Sequence, residues 1–346
     1  MSATPAESSR WLQRFAWLLA ALTLFLICSG GMVTSKGVGL AVPDWPTTFG
    51  YNMFLFPVSQ WVGGIFFEHT HRLIASTVGF LTIVLAVWLW RAESRRWLRV
   101  LGFVALGAVI LQGVLGGLRV TMLKDEIGIF HACLAQAFLG LLVFIGIATS
   151  RTWGALTGRA PAALLWLPIA TTLLIYVQLA LGATMRHQHR DLSILDFPTA
   201  YGQVIPDTSA PRLAVINEWR AARALSVVDA GHIWLQMAHR GMAAVILVGV
   251  VAYAFAIRRR SDGQHRALRS LSSFWVFFLA CQITLGAWTI WTNKAADVAT
   301  AHVAVGATML SLGIAISALA FRLRDRAATA DVQQRHVISM EEAHAL

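Results

Sequence analysis

Eight apolar runs, near residues 12–33, 67–90, 100–118, 127–150, 161–185, 232–257, 270–292 and 298–321, dominate this chain of 346 residues. Each approaches the ~20 residues that carry an α-helix across the hydrocarbon of a bilayer. Inside hydrocarbon a segment must satisfy its own N–H and C=O groups, so such runs fold as packed helices. Strand-type alternation is absent, which argues against a membrane barrel. The composition agrees: 57% of residues are hydrophobic and 13% charged, about half the charged share of a soluble domain. His232, His239 and Arg240 blur the start of the sixth run.

Formal charge is +11, yet its placement points away from nucleic acid. Arg10 and Arg14 precede the first run; Arg91, Arg95, Arg96 and Arg99 follow the second, and Arg151 and Arg159 the fourth. Arg258, Arg259, Arg260, Arg266 and Arg269 follow the sixth, and Arg322, Arg324 and Arg326 the last. Basic clusters in every second connection obey the positive-inside rule for an even number of spans with both termini cytoplasmic. The first run lacks a convincing cleavage site and reads as a retained helix. Cys28, Cys133 and Cys281 lie far apart within apolar runs, without CxxC spacing, so no disulfide framework is indicated.

The chain is duplicated. Ala41 to Thr47, with Asp44-Trp45-Pro46, resembles Ser193 to Thr199, with Asp196-Phe197-Pro198. His71-Arg72 matches His239-Arg240, Gln112 with Gly116 matches Gln282 with Gly286, and His131 parallels His302. The separations are 152, 168, 170 and 171 residues, so one insertion of about sixteen in the third outer loop explains most of the drift. Four spans per repeat return the chain to its starting side, which relates the repeats by an axis along the membrane normal. The expected fold is an all-α membrane protein of eight transmembrane helices, arranged as two tandem four-helix bundles with pseudo-twofold symmetry. The expected boundaries are 11–155, 160–325 and a polar cytoplasmic tail at 326–346.

His71, His131, His239 and His302 each stand at or just inside the start of an even-numbered span. Spans two and four of a repeat run in the same direction, so their histidines reach similar depth. Two imidazoles from facing helices suit the axial positions of a haem iron. Buried polar groups in membranes are costly, and four at duplicated positions are hard to ascribe to packing alone. His69 has no partner in the second repeat, where Met237 stands, and lies about 160° around the helix from His71. Glu68 precedes His71 by three residues on roughly the same face; Gln236 is its counterpart. A carboxylate beside one cofactor alone suits proton handling there, although acidic residues also favour a helix's first turn. Arg72 and Arg240 fit either haem propionates or interfacial snorkelling. The Asp-aromatic-Pro segments are expected to cover the bundle mouths, and Gly30-Gly31, Gly116-Gly117 and Gly182 to permit close approach. His187, His189, His265, His336 and His344 read as solvated surface.

This ordered set resembles the haem A synthase family. The residues that carry it are Pro43-Asp44-Trp45-Pro46, Glu68-x-x-His71-Arg72, Leu111-Gln112-Gly113-Val114-Leu115-Gly116-Gly117, His131, His239-Arg240 and His302. The resemblance implies oxidation of the C8 methyl of haem O to a formyl group, giving haem A, in a bacterial cytoplasmic membrane. It implies substrate haem on His71 and His131, a permanent haem b on His239 and His302, and Glu68 as the catalytic carboxylate. It places the haem sites towards the outer side, within membrane lipid, with haem O synthase, terminal oxidase assembly and an electron donor as partners. One departure stands out. Some members carry a cysteine pair in the first outer loop, and residues 34–66 contain none. Six-coordinate iron leaves oxygen no position, so either His71 or His131 leaves, or electrons are removed and water attacks; both stay open. Two rivals also stand: a dihaem b-type cytochrome that only moves electrons, and a transporter.

Overall fold

The computed structural model describes residues 10–155, 162–188, 190, 192–260 and 265–344. Its helices are α1 (Arg10–Ser35), α2 (Gly63–Ala92), α3 (Arg96–Met122), α4 (Asp125–Ala148), α5 (Arg151–Ala155), α6 (Ala162–His187), α7 (Ala210–Ala221), α8 (Ala230–Arg258), α9 (Arg266–Trp291) and α10 (Ala296–His344). Eight of them are long and apolar enough to cross a membrane, and they coincide with the eight apolar runs. Strands are absent among the described residues apart from two isolated bridges. The chain is an all-α integral membrane protein.

Local chemistry explains the helix ends. His232, which blurred the start of the sixth run, is part of a cap: Asp229 Oδ1 accepts from the His232 N–H at 2.9 Å. The His232 ring returns the favour, accepting from the Asp229 N–H at 3.2 Å. Such reciprocal capping satisfies two donors that a helix start leaves open. Between α3 and α4, Leu123 turns the chain with φ 56°. Asp125 and Glu126 then open α4, where carboxylates complement the positive helix end.

Helices α1, α2, α3 and α4 pack in a closed ring, each against the next and α4 back on α1. Helices α6, α8, α9 and α10 form a second such ring. The rings meet through α1 on α10, α4 on α6, and α4 on α10. Exchanging the repeats turns the first of these contacts into the second and leaves the third unchanged, as a self-complementary twofold interface requires.

The main apolar core fills one end of both rings. Its fully buried members include Leu12, Leu19, Leu85, Leu89, Leu142 and Ile145 in the first repeat. Val250, Tyr253, Ile257, Trp275, Ile316 and Leu323 are among those in the second. All lie beyond the histidine level, towards the basic connections. At the other end a smaller cluster of Ile194, Ala200, Ile216, Val228 and Ile233 builds a cap over the second ring.

That cap contains α7, which accounts for most of the inserted residues and which hydropathy did not reveal. Arg220 of α7 is buried and donates to the carbonyls of Ser226, Leu192 and Ser193 at 2.6, 3.3 and 3.4 Å. Two histidines read as solvated surface are not: His265 is buried next to the start of α9, and the His187 ring packs on Gly128 of α4. Helix α10 runs on without interruption to His344, through the segment read as a separate tail. Arg159 and His189, like the side chains of Arg324, Arg326, His336 and His344, lie outside the described residues.

Candidate functional site

Each histidine belongs to a helix pair built to one plan. A glycine on the first helix faces a histidine near the start of the second. A Cβ on Gly30 of α1 would lie 2.9 Å from His71 Cε1 of α2, and one on Gly116 of α3 would lie 3.4 Å from His131 Cε1 of α4. Gly182 of α6 stands 3.4 Å from His239 Cε1 by the same measure, and Gly286 of α9 3.1 Å from His302 Cε1. A methyl group would collide at Gly30, be tight at Gly286 and just touch the ring at Gly116 and Gly182, so in each pair the histidine lies close against its neighbour's backbone.

One turn before the glycine stands a glutamine. Gln112 Nε2 donates to the His131 carbonyl at 3.1 Å, and Gln178 Nε2 to the His239 carbonyl at 2.9 Å. Gln282 Nε2 lies 3.4 Å from His302 Nε2. Only α1 departs, with Leu26 four residues before Gly30. Gln178 was missed in the sequence, although its spacing from Gly182 repeats that of Gln112 from Gly116. The unit of repetition is therefore a helix hairpin, used four times.

The rings are arranged in two pairs. His71 and His131 act on each other electrostatically within the first ring of helices, and His239 and His302 do so within the second. All four Nδ1 atoms are buried and have no hydrogen-bond partner. His69, by contrast, faces the outer loop. It is fully buried, its Nδ1 meets Thr48 Oγ1 at 3.1 Å, and its ring packs on Phe56 and Trp61.

Glu68 and Gln236 hold equivalent loops by different chemistry. Glu68 is 4% exposed; its Oε2 accepts from the Val42 N–H at 2.9 Å and its Oε1 from Arg72 at 2.7 Å. Gln236, also 4% exposed, accepts from the Ile194 N–H at 2.8 Å and donates to the Ile194 carbonyl at 3.1 Å. The amide pairs with both backbone groups. A carboxylate can only accept, so Arg72 takes over the Val42 carbonyl at 2.8 Å.

Arg72 also reaches the carbonyls of Asp44 and Thr47, at 2.7 and 3.1 Å. Arg240 does the same for Asp196 and Thr199, at 2.7 and 2.8 Å. Neither arginine snorkels; both clamp the loops onto the helices, and Arg240 keeps one buried donor, Nε, without a hydrogen-bond partner. Each loop is folded around an aspartate. Asp44 accepts from Thr47 and from the N–H groups of Phe49 and Gly50, both at 2.8 Å. Asp196 accepts from Thr199 at 2.7 Å, Tyr201 at 2.8 Å and Gly202 at 3.0 Å. Consecutive positive φ values at Phe49 and Gly50, and at Tyr201 and Gly202, close these turns, and glycine tolerates that geometry without strain. Trp45 packs directly on Gly117, laying the first loop over the open end of the bundle. The second loop carries the smaller Phe197, and Ala287 stands in the place of Gly117.

No group of three or more His, Cys, Asp or Glu stands together among the described residues, so a bare metal cage is not what this site offers. Two facing imidazoles do suit a metal already held in a planar macrocycle, and the unpartnered ring nitrogens and glycine cradles fit that use. Fold and site together define an eight-span helical membrane protein with one histidine pair in each four-helix bundle.

Residues 13–314 match the COX15-CtaA family of cytochrome oxidase assembly proteins, and the chain belongs to it. Among its relatives is the "Heme A synthase" of Geobacillus kaustophilus, 25% identical over 83% of this chain and 85% of the relative. That of Shouchella clausii is 26% identical, covering 79% and 94%. That of Methylobacterium radiotolerans is 26% identical and covers 90% of both chains.

Proposed function

We propose that this protein is a haem A synthase, a membrane oxidoreductase that converts the C8 methyl of haem O to a formyl group. The observation that carries the reading is one asymmetry in a duplicated site: a carboxylate, Glu68, one turn from His71, against an amide, Gln236, at the matching place before His239. The names of the relatives support it.

On this reading the first repeat, 11–155, takes haem O between His71 and His131. The second, 160–325, keeps a haem b between His239 and His302, which when bound supplies electron transfer. Gly30 and Gly116 leave the macrocycle room, while Trp45 and the Arg72-clamped loop exclude water from the outer end. Glu68 moves a proton at its carboxylate as the methyl is oxidised, held in fixed orientation by Val42 and Arg72. Both termini are cytoplasmic, and the histidines lie towards the outer side of a bacterial cytoplasmic membrane. Haem O synthase, an electron donor and the terminal oxidase under assembly are the partners.

The test is haem extracted from cells that express the chain beside a haem O producer. The wild type should yield formylated haem. Glu68→Gln should keep bound haem but stop conversion, because Gln236 already illustrates how an amide can hold such a loop. Unchanged haem A from the variant would remove Glu68 from the chemistry. Unconverted haem O from the wild type would favour a dihaem cytochrome that only moves electrons.

A further inference from the structure

Several guanidinium groups at the histidine end of the bundles hold the chain itself. Arg72 and Arg240 hold the outer loops, Arg220 holds the α7 cap, and Arg186 donates to the Gly31 carbonyl at 2.9 Å and to Ser35. Arg119 has neither a hydrogen bond nor an ion pair to any described residue. It is half-buried on α3, three residues beyond Gly116, and so shares the helix face that bears on His131, one turn further out. Its Nη2 rises to the first outer loop, where a Cβ on Gly39 would be 3.2 Å away.

The surroundings of this cation define a site. Arg119 acts electrostatically on both His71 and His131, and on Glu68 and Asp125. It therefore stands at the mouth of the first histidine pair, beside the carboxylate that distinguishes this half. In the second repeat the matching residue is Thr289, without charge. A partly buried guanidinium lacking an acceptor is unfavourable, and a planar carboxylate gripped in bidentate fashion is its best complement.

We propose that Arg119 binds a propionate carboxylate of the macrocycle held by His71 and His131, and so orients substrate in the first repeat only. The assignment rests on the functional reading above. On this assignment the outer-edge contact differs between the two sites, since Thr289 carries no charge.

Binding of haem O to the detergent-purified protein tests it, compared with binding of haem O dimethyl ester, in which both propionates are blocked. Arg119→Leu should weaken the free acid about tenfold to a hundredfold, the range of a charge-assisted hydrogen bond. It should leave the ester and the haem b content of the second repeat unchanged, and Arg119→Lys should fall between. Equal affinity of Arg119→Leu and wild type for the free acid overturns the proposal, as does an equal loss for acid and ester. His71→Ala separates the two readings. If it abolishes haem O binding while Arg119→Leu does nothing, only the arginine assignment fails; if it changes nothing, the histidine site fails, and the proposal with it.

Discussion

A methyl group on Gly30 would sit 2.9 Å from His71 Cε1, closer than real side chains approach, whereas one on Gly113 would meet nothing within 4 Å. Gly30→Ala should therefore push the His71 ring aside and reduce haem held by the first repeat about tenfold, given the ~1–3 kcal/mol typical of overpacking. Gly113→Ala, on α3 near Gly116, should bind as the wild type does. Haem content per polypeptide checks both; equal content would mean the ring has room to move. Residues at this scale were legible in the sequence where duplication singled them out. His71 stood apart from His69 because His239 repeats it and Met237 does not. Arg72 was not legible. An arginine's donors choose among acceptors that only a folded loop brings near, and the carbonyls of Val42, Asp44 and Thr47 are invisible in a one-letter string.

Elements carry the outer-loop turns, and with them a pH dependence. Burial would raise the carboxyls of Asp44 and Asp196, but the hydrogen bonds from Gly50, Thr47 and Phe49, and from Gly202, Thr199 and Tyr201, outweigh it and hold both below the ordinary value of 3.8. Lowered values stabilise the folded turn above that ordinary value, and the contribution fades as pH falls through the depressed ones. Amide exchange at Phe49, Gly50, Tyr201 and Gly202 should stay slow from neutral pH down to about 4, once corrected for the intrinsic pH dependence of exchange, and protection should drop below the carboxylate range. Protection that persists in strong acid would assign the turns to other contacts. The eight spans were plain because hydropathy alone dictates them. Helix α7 was not, because this twelve-residue polar helix is tied down by Arg220, which bonds to the carbonyls of Leu192 and Ser193 on a segment distant in sequence.

The whole molecule is two rings of helices, each with its own histidine pair and its own cap. The rings touch through α1, α4, α6 and α10, while His71 and His239 stand on α2 and α8, outside that contact. His239→Ala should accordingly empty the second site and leave haem O binding in the first unchanged, since α8 packs on α6 and α9 of its own ring and not on the first ring. Separate titration of the two sites by absorbance checks this; loss of both haems together would show the rings to be one cooperative unit. Hydropathy, arginine placement and internal duplication by themselves determined eight helices, two repeats and four candidate ligands, because each is a property of composition and order along the chain. Only the tertiary structure decided that the repeating unit is a glycine–histidine hairpin, that Arg72 and Arg240 clamp loops, and that Arg119 is left without an acceptor. Those depend on which groups meet across helices, and such meetings are set by packing in three dimensions.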